Sequence, residues 1–389
     1  MTVTFFITTF GDTGGHYYSL LALATEMSKR HNVQVINIGY FASSVLKHIT
    51  LPYRFIFFNG INVNEASKKI AEVVCCGDNM ILHCYDYVSY TLLLSNNKTS
   101  KYPILLTKCG GVPISVKRLP RLKNLILFSQ EDLDYYKIVL PKYSKIRLIP
   151  NRVAAFASDR ERIHKLVCKH HLQGKRVILK IGRISIYYEK TILQAINLSQ
   201  SLHELDDRYE LLLVGSIQQE SSYNNLISRI EKLSYIHVEN DEEFTHNAKE
   251  IIDIADIVIG TGRGFMEACY LNKLMFAPCA NFEMPVFVNS QNFKSVFRTN
   301  FSERYLCDVK TLVPLSVFYS KYATSISESR KWFDEFFDIR TAVTKVEEFY
   351  KEIEGESTKC SLLEKIRNRW ILFRSYDKIH TKIIKCLKI

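Results

Sequence analysis

IIDIADIVIGTGRGFMEACYLNKLMFAP, residues 251–278, is the stretch on which the reading of the fold turns. Ile257, Val258 and Ile259 form a short apolar run, followed by a glycine-rich turn (Gly260, Thr261, Gly262, Arg263, Gly264) and an amphipathic helical pattern whose first turn carries Glu267. Strand, glycine turn and helix in that order make the ligand-holding end of an α/β sheet. Glycines let the backbone come close to a ligand, and the amides that open the helix lie at the positive end of its dipole, which suits an anion such as phosphate. A carboxylate one turn along can then grip hydroxyls beside that phosphate. Glycine turns after strands also occur for purely structural reasons, so the pattern has to be weighed with the rest of the chain.

The segments before it repeat the motif. Arg176 to Ile181 is a strand that delivers Gly182 and Arg183; Lys190 follows at the start of a helix, then comes a strand from Glu210 to Val214 ending in Gly215, and another from Ile236 to Glu239. The beginning of the chain is built the same way. Thr2 to Thr9 is β-branched and aromatic, the loop Gly11, Asp12, Thr13, Gly14, Gly15 follows, and a helical pattern starts near Tyr18. Further strands are expected over Asn32 to Ile38, Arg54 to Phe58, Met80 to Cys84, Ile104 to Lys108, Leu125 to Phe128 and near Ile146 to Pro150. Alternation of this kind predicts parallel sheets covered by helices on both faces. The expected architecture is α/β: two Rossmann-like α/β/α domains facing a cleft, with C-terminal helices. The boundaries expected are 1–160 for an N-terminal Rossmann-like domain, 161–340 for a C-terminal one, and 341–389 for helices that cross back and end in a basic amphipathic tail.

With 389 residues the chain exceeds one ordinary core, and 47% hydrophobic with 24% charged residues is a globular composition. Ten scattered cysteines show no CxxC spacing, which argues against a zinc or redox site and for a reducing, cytoplasmic setting. Met1 leads directly into an apolar strand pattern without a basic n-region, so no signal peptide is expected, and no apolar run approaches the roughly 20 residues of a membrane span. The net charge of +12 is concentrated in zones: residues 357–389 hold nine Lys or Arg against two acids, residues 142–176 hold ten against two, and residues 101–124 hold six against none. Such zones fit an anionic membrane surface better than nucleic acid, since no nucleic-acid recognition module is visible. In the tail, Leu362, Leu363, Ile366, Trp370, Phe373, Ile383 and Leu387 recur mostly at helical spacing beside Lys365, Arg369, Arg374 and Lys378. That is the pattern of an interfacial helix, or of a helix packed across another domain.

Arginine and lysine at the mouth of a parallel sheet suit a diphosphate, because each can neutralise the charge that grows as a phosphate bond breaks. Taken with the first-loop glycines, the KIGRISIYYEKTILQAI segment, the YELLLVGS strand and ADIVIGTGRGFMEA, the chain resembles the family 4 glycosyltransferases of the GT-B type over most of residues 1–350. The resemblance implies that Arg183 and Lys190 hold the donor diphosphate and that Glu267 contacts the nucleotide ribose; these three are the catalytic candidates. Gly14, Gly15, His16, Lys108, Gly182, Thr261, Gly262, Arg263 and Gly264 are the substrate-binding candidates. It further implies a retaining transfer from a nucleotide sugar to a glycan or lipid-linked acceptor in surface polysaccharide or glycoconjugate synthesis. No cofactor and no metal are expected, and the setting is cytoplasmic, peripheral to the inner face of the membrane. Two positions depart from the family pattern: Ile259 stands where a second glutamate is common, and Lys108 with Cys109 where a histidine is frequent.

Two other readings share these residues. A nucleotide-sugar epimerase on the same fold would need acid and base groups near the sugar, and no convincing set is visible. A non-catalytic basic scaffold for membrane or nucleic acid would rest on RWILFRSYDK in the tail. Asp132 and Asp134 spell DxD, but Ser129 with acids in the next turn reads as a helix cap. His83 lies at the end of a strand, either touching substrate or satisfied in the core, and His170 and His171 belong to a solvated connection.

Overall fold

A computed structural model describes residues 1–10, 14–47, 49–74, 79–323 and 327–387, with side chains as far as Arg374. Gly11, Asp12 and Thr13 of the first glycine loop, Cys75 and Cys76, and the tail side chains from Ser375 onward lie outside the described residues. The chain divides into two compact units, one made of Met1–Arg152 together with Ile339–Ile389 and the other of Val153–Asp338.

The first unit carries strands Thr2–Thr9 (β1), Asn32–Gly39 (β2), Tyr53–Phe57 (β3), Met80–Cys84 (β4), Ile104–Lys108 (β5), Asn124–Leu127 (β6) and Lys145–Leu148 (β7). They form one seven-stranded sheet in the order β3-β2-β1-β4-β5-β6-β7, parallel throughout. The second unit carries Arg176–Ile181 (β8), Tyr209–Val214 (β9), Ile236–Glu239 (β10), Ile257–Ile259 (β11), Leu274–Ala277 (β12) and Val286–Phe287 (β13), in the order β10-β9-β8-β11-β12-β13. Here only the β12–β13 pair is antiparallel. The expectation of two Rossmann-like α/β sheets is met.

Central strands of a parallel sheet are buried on both faces and so read as unbroken apolar runs. In β8 the alternation sorts the side chains: Val177 and Leu179 join one buried cluster, and Ile178 joins the cluster on the opposite face. In both sheets the order reverses beside the first strand of the unit, between β1 and β4 and between β8 and β11. The loops that leave adjacent strands there run in opposite directions and open a crevice at the carboxyl edge, where ligands of doubly wound sheets sit.

Helix Ile339–Ile353 belongs to the first unit and buries Ala342, Val343, Val346, Phe349, Tyr350 and Ile353. The last helix, Leu362–Leu387, packs on helix Tyr87–Ser95. Its inner side is made by Asn368, Ile371 and Leu372, of which Ile371 and Leu372 were not singled out by the helical pattern. Leu362, Leu363, Ile366, Trp370 and Phe373 all face outward, between 54% and 78% exposed. Among the described residues no helix is long and apolar enough to cross a membrane.

Candidate functional site

The crevice between β8 and β11 gathers most of the site candidates of the second unit. At the end of β8 the Gly182 amide donates to the Val214 carbonyl, and a Cβ on neighbouring Gly215 would lie 1.7 Å from the Gly182 oxygen. Gly215 is therefore fixed by strand packing, whereas a Cβ on Gly182 meets nothing within 4 Å. Arg183 donates to the Tyr188 hydroxyl at 2.6 Å and its guanidinium stacks over the same ring at 5.3 Å, so the arginine is oriented while staying partly exposed. Lys190 opens helix Glu189–Leu205 and donates to the Ala280 carbonyl at 2.6 Å, with Gln194 one turn on holding Cys279 and Phe282. The helix is thereby tied to the loop after β12.

The turn after β11 is tighter than the sequence pattern suggests. The helix runs Gly262–Tyr270, so Arg263 and Gly264 are already inside it and Glu267 stands in its second turn, not its first. The cause is local: Thr261 is extended at the N-cap, Gly262 takes φ +49, and the Gly262 amide donates to the Asn300 carbonyl. Only glycine adopts that φ without strain. A Cβ on Gly260 would lie 2.7 Å from the Phe265 Cα, so that glycine serves packing, whereas one on Gly264 meets nothing within 4 Å.

With Arg263 and Glu267 four residues apart on one helix, their side chains meet, and the Arg263 Nε donates to the Glu267 carboxylate at 2.7 Å, both side chains 12% exposed. Lys249, which sequence reasoning passed over, lies close enough to feel both. Burial pulls its pKa down, Glu267 opposes that, and Arg263 adds like-charge repulsion. One carboxylate thus sits among two cations beside the start of a helix. Asn300 was missed as well. It and Phe301 are both left-handed, near φ +56, and Phe301 is held by stacking on Phe265 at 3.7 Å. The one signal for it in sequence is an asparagine, which tolerates that region better than most residues.

The candidates in the first unit are placed differently. Gly14 is the extended N-cap of helix Gly15–Met27, and the His16 ring lies tilted against Tyr17 with centroids 4.1 Å apart. Lys108 at the end of β5 is 4% exposed, pairs with Asp132 at 2.9 Å and donates to the carbonyls of Gly110 and Gly111. Ser129 accepts from the Asp132 amide, which is the cap that the sequence suggests. His83 is fully buried between the Tyr350 hydroxyl and Thr107 Oγ1, both at 2.6 Å, and burial drags its pKa down to about 3. It is a satisfied core histidine. His170 is not merely solvated, since it is half-buried and paired with Glu239 at 3.0 Å. Among the described residues no group of His, Cys, Asp and Glu could hold a metal ion.

No family model and no curated protein matches the sequence. Solved structures do resemble the fold. The Anabaena protein HepE, solved with UDP and glucose, superposes with a TM-score of 0.63 at 14% identity over 90% of this chain and 100% of its own. A glycosyltransferase from Rickettsia africae gives 0.62 at 18% identity over 90% and 98%. The pneumococcal O-GlcNAc transferase GtfA, in complex with UDP and GlcNAc, gives 0.59 at 9% identity over 90% and 99%.

Proposed function

We propose that the protein transfers a sugar from a nucleoside-diphosphate donor to a hydroxyl of a glycan or lipid-linked acceptor, with retention, in the synthesis of surface polysaccharide or glycoconjugate. The observation that carries this reading is the β8–β11 crevice, where Arg183, two open glycine positions (Gly182 and Gly264) and the amino end of helix Gly262–Tyr270 converge, with Glu267 one turn beyond. A diphosphate fits such a place because the positive end of the helix dipole favours an anion and a guanidinium offers charge-assisted hydrogen bonds in fixed directions. The likeness in fold to HepE and GtfA, each solved with UDP, supports it.

In the transfer, the bond from the anomeric carbon to the diphosphate oxygen breaks as the acceptor oxygen bonds to that carbon on the same face. The hydroxyl proton passes to the departing diphosphate. Charge grows on that leaving group, and Arg183 and Lys190, beside the positive end of the dipole of helix Gly262–Tyr270, are the groups that take it up, with no metal required. Glu267, held by Arg263, receives the ribose hydroxyls. A thermal-shift panel of UDP, GDP, ADP and CMP with their sugar conjugates tests the reading, because a ligand of the native state raises its melting temperature. Absence of any shift across the panel overturns it. Transfer unaffected by chelator, with the donor's anomeric configuration kept in the product by NMR, tests metal independence and retention.

The same reading places the enzyme on the inner face of a membrane. Leu363, Ile366, Trp370 and Phe373 follow one another at three- and four-residue steps along the exposed side of the last helix, and Arg374 stacks over Trp370 at 4.6 Å. An outward apolar stripe next to basic groups suits an anionic interface. Thr358 hydrogen-bonds to the Ser100 and Tyr102 carbonyls, so point changes disturb the fold less than removing the tail. Trp370→Ser with Phe373→Ser is expected to abolish co-sedimentation with anionic liposomes; unchanged co-sedimentation removes the membrane from the proposal.

A further inference from the structure

The crevice contains a charged group to which neither motif nor spacing assigns a role. Lys180 lies in β8 two residues before Gly182 and is 5% exposed. Its strand neighbours give it no partner. Lys180 stands opposite Leu213 on β9, and the β8–β11 register, Ile178 with Ile257 and Leu179 with Val258, continues to put it beside Ile259. Among the described residues no side chain or carbonyl hydrogen-bonds its amine, and Glu303 alone acts on it through charge. Lys180 lines a recess of about 40 Å³ together with Gly182, Arg183, Gly215 and Thr261. That volume holds about two or three waters, or the oxygens of one small anion, rather than a nucleotide.

A buried ammonium without a counter-ion is costly, and proteins ordinarily pair such groups. Here Lys180 lines one recess together with Thr261, the N-cap residue of a nine-residue helix, and Arg183, whose guanidinium is oriented by Tyr188. We infer that Lys180 is a further ligand of the donor, its ammonium receiving a phosphate oxygen at the floor of the crevice between Gly182 and Thr261. This rests on the nucleotide-sugar reading and adds to it a third cation, set below Arg183 and Lys190. Binding then supplies the hydrogen-bonded counter-ion that Glu303, acting through charge alone, does not provide.

The consequence is a proton linked to binding. Burial holds the Lys180 pKa down to about 8, with Glu303 opposing the shift. The other titratable groups lining the recess are Arg183 and Tyr188; β9 and the two flanking helices contribute Leu213, Val214, Thr191, Ile192 and Leu226, and the turn after β11 contributes Thr261. An amine with that pKa is about nine-tenths protonated at pH 7 and about one-tenth at pH 9, while the diphosphate, with its last ionisation near pH 6, stays constant. An arriving phosphate pulls the pKa back up, so affinity falls as pH rises through 8.

Isothermal titration of the full chain with UDP, GDP and ADP in turn tests this. For the diphosphate that binds tightest, the dissociation constant is expected to rise about ten-fold between pH 7 and pH 9. Lys180→Met is expected to bind about ten-fold or more weakly at pH 7 and to lose the pH dependence, while Lys180→Arg keeps binding at pH 9. Wild-type titrations at pH 8 in two buffers of different ionisation enthalpy should show uptake of about half a proton per ligand, a readout that needs no variant. Full affinity of Lys180→Met at pH 7, or no proton uptake by the wild type, overturns the inference while leaving the nucleotide reading in place. A wild type that binds none of the three diphosphates overturns both.

Discussion

Lys108 and Lys180 are both lysines at or near the ends of central parallel strands, both almost fully buried, one in each unit. They differ in what surrounds the amine. Lys108 is saturated by the Asp132 carboxylate and two carbonyl oxygens, whereas Lys180 has apolar strands on either side. The first is part of the scaffold: its charge is cancelled inside the fold, and taking it away strands a carboxylate. The second has no hydrogen-bonded partner among the described residues, and Glu303 acts on it through charge alone. Position along the strand differs by a single residue between the two, so the chemistry of a buried charge is decided by its partners.

Lys108→Met should produce the largest effect, a loss of about 3–5 kcal/mol in urea unfolding, because it leaves Asp132 buried and unpaired. Lys180→Met should leave the melting temperature unchanged or raise it, since it removes an unpaired buried amine. Equal losses in the two variants would erase the comparison. Next in size, Arg183→Ala and Glu267→Ala should each weaken nucleoside diphosphate binding by about ten- to a hundred-fold in calorimetry, the range for one charge-assisted hydrogen bond, without comparable loss of stability. Retained affinity in both would detach the β8–β11 crevice from nucleotide binding.

The glycines of the turn sharpen the same contrast between scaffold and site. Gly260→Ala drives a methyl against the Phe265 backbone and should cost about 1–3 kcal/mol. Gly264→Ala, inside a helix and facing open space, should stabilise by up to about 1 kcal/mol while lowering diphosphate affinity. The smallest signal is a pH slope. His83, saturated like Lys108, has a folded pKa of about 3 against about 6.5 when unfolded. The unfolded chain takes up a proton first, so His83 makes stability fall as pH drops from about 6 towards 3, by at most about 1.4 kcal/mol per pH unit. Lys180 has the same sign in a higher window: its depressed pKa makes stability rise with pH between about 8 and 10.5. Unfolding curves of His83→Gln and Lys180→Met against wild type separate the two windows.

Both sheets were legible in the sequence, because parallel strands buried on two faces leave apolar runs punctuated by glycine, as YELLLVGS and ADIVIGTG do. Arg183, Lys190 and Glu267 could be picked out for a similar reason: each follows such a run at a short, fixed offset. Other features are set by contacts between segments far apart in the chain. The helix onset at Gly262 depends on Asn300, some forty residues on, and the Lys249 environment depends on Glu267. Lys180 looked like one more residue of a strand, since the lack of a hydrogen-bonded partner becomes visible only when both neighbouring strands are in place. The tail reading had the helix and its apolar stripe but not its inner side, because Ile371 and Leu372 are fewer than the outward apolar residues and only packing shows which of them are covered.

The return of residues 339–389 to the first unit has a consequence for the order in which the chain can fold during synthesis. The Val153–Asp338 unit is continuous and complete once its own residues have emerged. The first unit begins earlier yet finishes later: the ring of His83, in its fourth strand, waits for the hydroxyl of Tyr350, and the helix Tyr87–Ser95 waits for the last helix to cover it. Translation from the amino end ordinarily favours the first domain. Here the later-made unit is the earlier to close, and a nascent chain stalled before residue 339 would carry a finished second unit behind an open first one.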